Sequence, residues 1–236
     1  MAKSRGSESE TNGARERIVD ALLDLASERS WHSITMPDIA ERAGVSLAEF
    51  RNHFPSKGAI LGAFAKRIDT IVLEGTTHDL DTETSRERLF DVLMRRIDAL
   101  APHKDAMRSI MAGLRHDPLS LLAMNQVATN SMRFMLAAAG IDAEGPFGSI
   151  KVQGAVLSFA HIIDVWLRDD DAGLSKTMAA LDTELGKGAM MVHRLDDIGR
   201  MSAPLATMMD RAMERGRSMR DRRSWNRQDA DQDPSI

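Results

Sequence analysis

The chain contains no cysteine, and this absence excludes several classes of protein at once. Disulfide-bonded scaffolds, zinc sites built on thiolates and enzymes with a cysteine nucleophile all require that residue. Long apolar runs are also missing, since no segment approaches the roughly 20 uninterrupted apolar residues of a membrane-spanning helix. The start of the chain, MAKSRGSESETNGARER, carries charges but no apolar segment of the kind that a signal peptide requires. We therefore expect a cytoplasmic protein.

Sequence patterns of catalysis and metal binding are absent as well. The chain has no Gly-rich phosphate loop and no nucleophile elbow. His161 and Asp164 can share one helix face, but no second ligand pair accompanies them, so an interhelical hydrogen bond is favoured over a metal site. In the acidic run RDDDAG, 168–173, consecutive carboxylates point in different directions, which favours solvated charge at a helix end over cation binding. We expect no enzyme, no metal and no cofactor.

The net charge of −4 is unevenly distributed along the chain. Residues 14–67 carry eight Lys/Arg against seven Asp/Glu, and residues 211–227 carry seven Arg against two acidic residues. The middle of the chain, 68–210, is acidic and therefore a poor surface for polyanions. Any contact with nucleic acid is expected from the two ends.

The fold class predicted from the periodicity is all-α. Apolar residues recur with helical spacing, and no Val/Ile/Thr alternation typical of a strand occurs. At 236 residues and 43% hydrophobic content, the chain can bury a core. The predicted helices cover residues 14–29, 36–43, 47–53, 57–75, 86–100, 103–115, 118–139, 148–168, 174–186 and 188–222.

The stretch IAERAGVSLAEFRNHFPSKGAIL, 39–61, has the pattern of a helix-turn-helix. Gly44 supplies the turn, and Ser46 can cap the second short helix with Glu49 as its capping-box partner. The apolar inner face consists of Ile39, Ala40, Ala43, Val45, Phe50 and Phe54. The second helix presents Leu47, Ala48, Arg51 and Asn52 outward, with Glu49 and His53 beside them.

The segment SWHSITMPDIAERAGVSLAEFRNHFPSKGAILGAF resembles the amino-terminal pattern of the TetR family of bacterial transcription regulators. The resemblance covers residues 14 to about 65. It is specific, because the intervals between Thr35, Gly44, Phe54 and Lys57 all agree with the pattern of that family. It implies a homodimer whose recognition helices enter successive major grooves of a palindromic operator. A helical domain that binds a ligand and mediates dimerisation would follow.

The resemblance also assigns contacts to double-stranded DNA. Thr35 and Lys57 would meet phosphates, and Ser46, Leu47, Ala48, Glu49, Arg51, Asn52 and His53 would lie at or near base edges and backbone. Arg51 can pair bidentately with guanine, and Asn52 can read adenine. The family commonly has a small or hydroxyl residue and a tyrosine where this chain has Glu49 and Arg51. Because an exposed glutamate repels phosphates unless it binds a cytosine amino group or a neighbouring Arg, we expect modest DNA affinity.

A second resemblance lies in the carboxy-terminal part. RERLFDVLMRRIDALAPH and VWLRDDDAGLSKTMAALDTELGKG are similar to segments of the TetR-like lipid-binding accessory proteins of ubiquinone biosynthesis. This resemblance implies an apolar ligand pocket. Its candidate residues are Leu93, Met107, Met111, Met132, Met135, Phe159, His161 and Trp166, with Leu89, Met94, Ile110 and Ile163 beside them. Methionines at helical spacing are more often ordinary core residues, and that interpretation is favoured for most of the sixteen.

The polar stretch THDLDTETS, 77–85, marks the predicted domain boundary. We expect a disordered arm over 1–13, a helix-turn-helix domain with a linker helix over 14–75, a helical ligand-binding and dimerisation domain over 85–222, and a disordered tail over 223–236. Residues 201–225 place apolar side chains on one side of a helix and arginines on the other. A dimer interface is favoured for this helix, while an anionic membrane surface and nonspecific DNA attraction stay open.

Two hypotheses of function follow. The favoured one is a homodimeric transcriptional repressor that binds a palindromic operator and responds to a small, largely apolar effector. The alternative is a lipid-binding accessory protein that has the same fold and no DNA-binding activity.

Overall fold

The computed structural model of the chain describes residues 2–75, 83–144, 147–188 and 190, with side chains from residue 12 onward. Within these ranges all regular secondary structure is helical, which confirms the predicted fold class. The helices are α1 (Ala2–Glu28), α2 (Met36–Ala43), α3 (Leu47–His53), α4 (Lys57–Glu74), α5 (Ser85–Leu100), α6 (Lys104–Leu114), α7 (Pro118–Ala138), α8 (Gly148–Trp166) and α9 (175–188). Short 3-10 turns cover Trp31–Ser33 and Ala101–His103.

The first helix differs most from its predicted bounds. It begins at Ala2 rather than at residue 14, so residues 2–13, whose low apolar content predicted disorder, lie in a helix. No proline interrupts this segment, and Ile18 and Leu22 anchor the following turns in the core. A helix that is already nucleated by packing extends at little further cost. The predicted helix beyond 188, the tail 223–236 and most of the stretch 77–85 lie outside the described residues.

The helix-turn-helix is set by local capping. The Thr35 hydroxyl accepts from the Asp38 N–H (3.3 Å), and the Asp38 carboxylate accepts from the Thr35 N–H (2.8 Å), which starts α2 with a complete capping box. Gly44 ends α2 with φ of +66°, a conformation that favours glycine. Ser46 accepts from the Glu49 N–H (3.1 Å) at the start of α3. The Glu49 side chain makes no return contact there, so the predicted second capping box is only half formed.

Helices α4 to α8 form a bundle that is continuous with the amino-terminal core. The long helix α4 packs against α1, α5 and α7, and α6 packs against α1 and α7. Helices α4 and α6 therefore connect the amino-terminal helices to the bundle. The buried apolar residues form a single cluster from Ile18 in α1 to Leu181 in α9. In the described part of the chain, no helix is both long and apolar enough to cross a bilayer.

Candidate nucleic-acid interface and effector cavity

One face of α3 is open to solvent. Leu47 is 54% exposed, and Ala48, Arg51 and Asn52 are exposed beside it. On the opposite face Phe50 is only 2% exposed and packs in the core. Ser46 is exposed at the start of this helix, whereas Glu49 and His53 are half-buried at its sides. The helix can therefore present a row of side chains to a partner without losing its own packing.

Two arginines of the amino-terminal part, Arg42 and Arg29, are engaged with acidic groups. Arg42 donates to both carboxylate oxygens of Glu28 (2.8 and 2.7 Å), and these hydrogen bonds lower the pKa of Glu28. Arg29 lies 3.6 Å from the Asp38 carboxylate. Arg51, in contrast, has no acidic partner among the described residues. It is consequently the cation of this face that is most available to a phosphate or a base.

Two arginines of α1 hold the ends of the short helices, a role that the sequence analysis missed. The Arg17 Nε donates to the Ala43 carbonyl at the end of α2 (3.3 Å). The Arg15 Nη1 donates to the His53 carbonyl at the end of α3 (3.3 Å), and its guanidinium lies 4.4 Å from the Phe54 ring centroid. Cations at helix carboxyl ends satisfy free carbonyls and oppose the helix dipole. Both arginines therefore help to fix α2 and α3 against α1.

Thr35 is the amino-terminal cap of α2. Its hydroxyl donates to the Asp38 carboxylate (2.7 Å) while it caps α2. A phosphate would have to compete with this carboxylate for the hydroxyl proton. The side chain is exposed, so the phosphate contact stays a prediction.

Lys57 is half-buried at the start of α4 and faces the preceding turn. Its ammonium donates to the carbonyls of Trp31 (3.1 Å) and Ile34 (2.8 Å) and lies 4.4 Å from the Trp31 ring centroid. Burial lowers the pKa of Lys57. The group that was predicted to meet a phosphate thus stabilises the 3-10 turn in this structure, and a phosphate would compete with two carbonyls for it.

We expect Lys57→Ala to reduce the free energy of unfolding by about 1–2 kcal/mol, because it removes two charge-assisted hydrogen bonds and a cation–π contact. Urea unfolding followed by circular dichroism measures this. Lys66→Ala, an exposed lysine on the same helix, is the matched control and should change stability by less than about 0.5 kcal/mol. Equal effects of the two substitutions would contradict the structural role of Lys57.

A cavity of about 550 Å³ lies among α4, α5, α6, α7 and α8. Its volume falls within the range typical of small-molecule sites. Of the predicted pocket residues, Met107, Met111, Met132 and Phe159 line it, together with Ile110 and Ile163. Leu121 and Leu122 of α7 line it as well although they are exposed, so the cavity opens near the start of that helix.

Four other pocket assignments need correction. Leu93, Met135 and Trp166 are buried in the core but do not line the cavity. His161 lies on the exposed surface of α8. Helical periodicity identifies which side chains point inward, but it cannot distinguish those that meet a neighbouring helix from those that meet a void.

The cavity wall contains a buried ion pair that the sequence analysis did not identify. Arg96 of α5 hydrogen-bonds to the Asp69 carboxylate of α4, and the Ser131 hydroxyl of α7 donates to the same oxygen (2.7 Å). The three residues are at most 9% exposed, and Arg96 and Ser131 line the cavity. The sequence does contain a sign of this pair, because Asp69 and Arg96 each lie on the apolar face of a predicted helix.

The acidic residues that were considered as metal ligands make hydrogen bonds and ion pairs within the protein. The Asp164 carboxylate pairs with Arg115 across helices, and the described residues contain no cluster of potential metal ligands. Asp169, in the acidic run expected to be solvated, is buried and accepts from the Thr177 hydroxyl (2.7 Å) and N–H (2.9 Å). These hydrogen bonds lower the pKa of Asp169. Asp169 is buried rather than solvated because its carboxylate hydrogen-bonds to Thr177 in the first turn of α9.

The helix-turn-helix lies inside a recognised family domain. The family model described as bacterial regulatory proteins, tetR family, matches residues 18–64. Residues 18–64 therefore resemble the amino-terminal domain of that family. It is 28% identical over 174 residues to the HTH-type transcriptional regulator BetI of Klebsiella pneumoniae, covering 70% of this chain and 87% of that protein. It is also 28% identical to the HTH-type transcriptional repressor KstR of Rhodococcus jostii, over 71% of this chain and 76% of that protein.

The family resemblance extends to the fold of both parts. A TetR transcriptional regulator from Nitrosomonas europaea superposes with a TM-score of 0.58 at 26% identity, covering 75% of this chain and 98% of that one. These relatives are transcriptional regulators rather than enzymes. Their names favour the regulator hypothesis over the lipid-binding accessory protein, although an apolar cavity would be compatible with either.

Proposed function

We propose that this protein is a homodimeric repressor of the TetR family that binds a palindromic operator through residues 31–57 and releases it when a small, largely apolar effector enters the cavity. The observation that carries the DNA-binding part is the exposed face of α3 inside the matched family domain. A two-fold dimer would place two such faces on the same side of a duplex, one per half-site.

Arg51 and Asn52 are the residues best suited to read bases. Both are exposed on α3, one turn after Leu47 and Ala48. An unpaired guanidinium can bind the O6 and N7 atoms of guanine, and an amide can bind the N6 and N7 atoms of adenine. Leu47 and Ala48 offer apolar contacts to a thymine methyl group. Discrimination among sequences would therefore depend mainly on this face of α3.

We expect Arg51→Ala to lower affinity for the preferred operator about tenfold and to relax discrimination at one base pair, because a bidentate contact to guanine is lost. Competition binding against operators with single substitutions measures this. Arg42→Ala is a matched control, since that exposed arginine is paired with Glu28 and lies on α2. An unchanged base preference in Arg51→Ala would contradict the assignment.

The proposed homodimer is supported by an exposed apolar stripe on α8. Ile150 is 45% exposed and Leu157 is 63% exposed, and their spacing of seven residues places them on one helix face. Gly154 lies between them, and a Cβ added there would meet no atom of the described residues within 4 Å, so a second helix can approach closely. Met178 of α9 adds another exposed apolar side chain. Such a surface suits a two-fold interface between copies of the chain.

We expect Ile150→Glu to raise the dissociation constant of the dimer at least about tenfold, since a charge would be buried in an apolar interface. Sedimentation velocity over a range of protein concentrations measures this. Leu119→Glu makes the same change at an 80% exposed position on α7. It should leave the association unchanged. Identical sedimentation of the two variants would contradict an interface on α8.

Helix α6 provides a direct route between the cavity and the DNA-binding part. Met107, Ile110 and Met111 line the cavity from one side of this helix. From another side, the Ser109 hydroxyl donates to the Arg29 carbonyl (3.0 Å), and Gly113 packs directly against Trp31. A ligand that displaces α6 would therefore change the position of the turn that Lys57 holds. Effector and DNA would then favour different arrangements of the same protein, which is the requirement for allosteric release.

A further inference from the structure

The chemistry of the cavity wall restricts the class of effector, if the cavity is the effector site of the proposed function. In the part of the chain that the structure describes, three lining residues have polar side chains, namely Arg96, Asn125 and Ser131. Asn125 exchanges two hydrogen bonds with the Gln153 amide (3.2 and 3.0 Å). Ser131 donates its proton to Asp69 (2.7 Å). The hydrogen-bond donors of these two side chains are thus largely engaged within the protein.

Arg96 retains unused donors. Its guanidinium has five N–H groups, and within the described part of the chain one Nη1 hydrogen bond, to Asp69, is present. The Nε atom is buried without a partner. The guanidinium lies 5.5 Å from the ring centroid of Phe159, which also lines the cavity. A ligand atom that accepts from this guanidinium would satisfy one of its remaining donors.

The charge balance indicates that the ligand is uncharged. Among the described residues that line the cavity, Arg96 is the only ionisable one, and Asp69 already neutralises it. A ligand carboxylate would place a second anion against one guanidinium, and an amine would place a second cation beside it. Both would leave a net charge beside the apolar wall of the cavity, where an unpaired charge is strongly unfavourable.

We therefore propose that the effector is an uncharged, largely apolar molecule with one hydrogen-bond acceptor, such as a ketone or an ester, and that Arg96 donates to this acceptor. The remainder of the molecule contacts the methionine, leucine and phenylalanine side chains of the wall. Arg96 would then determine specificity, because a ligand of the same shape that lacks an acceptor would leave the guanidinium unsatisfied.

The test uses the full-length protein without DNA and four compounds of equal chain length: decan-2-one, decane, decanoate and decylamine. Each compound displaces Nile red from the cavity, and its affinity is read from dye fluorescence. We expect decan-2-one to bind at least about tenfold more tightly than decanoate and decylamine. Equal or tighter binding of either charged compound would overturn the proposal.

The role of Arg96 is tested with the double variant Asp69→Leu/Arg96→Met, which removes both charges together and avoids leaving one unpaired. The ratio of ketone affinity to decane affinity should fall at least about fivefold in this variant. An unchanged ratio would overturn the assignment of Arg96. Failure of all four compounds to bind the wild-type protein would overturn the inferred effector class, whereas operator binding measured without ligand would still support the DNA-binding part of the proposed function.

Discussion

Asp69→Asn should destabilise the protein by about 3–5 kcal/mol, because it leaves the Arg96 guanidinium buried beside a neutral amide. Asp69 is 9% exposed and accepts hydrogen bonds from both Arg96 and Ser131. The substitution preserves side-chain size, so lost packing cannot explain the effect. Urea unfolding at fixed protein concentration measures it, since the stability of a dimer depends on concentration.

Two controls separate the buried pair from a general effect of removing a carboxylate. Asp105→Asn breaks an exposed pair with Arg108 on the surface of α6 and should cost less than about 0.5 kcal/mol. The double variant Asp69→Leu/Arg96→Met should recover most of the lost stability, because apolar residues can replace a buried ion pair. If Asp69→Asn were no more destabilising than Asp105→Asn, the pair would not be buried as the structure shows.

Gly113→Ala should destabilise the protein by about 2–3 kcal/mol through overpacking. A methyl group at this position of α6 would lie 2.7 Å from the Cβ and Cγ atoms of Trp31, which is itself 7% exposed. Trp31 cannot move freely, because the Lys57 ammonium lies over its ring and bonds its carbonyl. The strain would therefore be shared by α6 and the turn before α2.

The same substitution at Gly186 gives the matched comparison. This glycine lies in α9, and an added methyl group would meet no atom within 4 Å. Gly186→Ala should stabilise the protein by up to about 1 kcal/mol, since alanine is the better helix former. Opposite signs for the two variants in thermal unfolding would support direct packing of α6 on Trp31. A stabilising effect at both positions would contradict it.

Local signals in the sequence were sufficient to predict the helix-turn-helix. Pro37, Gly44 and Ser46 act within a few residues of themselves, and the capping and the left-handed turn that they predict are present. The apolar periodicity likewise predicted the helices of the bundle. Such features depend on short-range geometry, which a single sequence records well.

Features that depend on contacts between distant helices could not be predicted. The sequence gives no indication that Lys57 faces the Trp31 and Ile34 carbonyls, or that Asp69 and Arg96 meet across α4 and α5. For the same reason, Met135 and Met132 appeared equivalent as pocket residues, whereas only Met132 lines the cavity. Tertiary packing decides each of these cases.

The most direct test of the proposed function is selection of genomic DNA fragments from the source organism by the purified protein at several salt concentrations. Arg51→Ala serves as the control. We predict enrichment of a palindrome with two half-sites, lost in the variant, and a shallow dependence of affinity on salt because Arg29 and Arg42 are already paired with acidic side chains. Binding that is absent, or that ignores sequence and disappears as salt rises, would contradict sequence-specific regulation and favour the lipid-binding alternative.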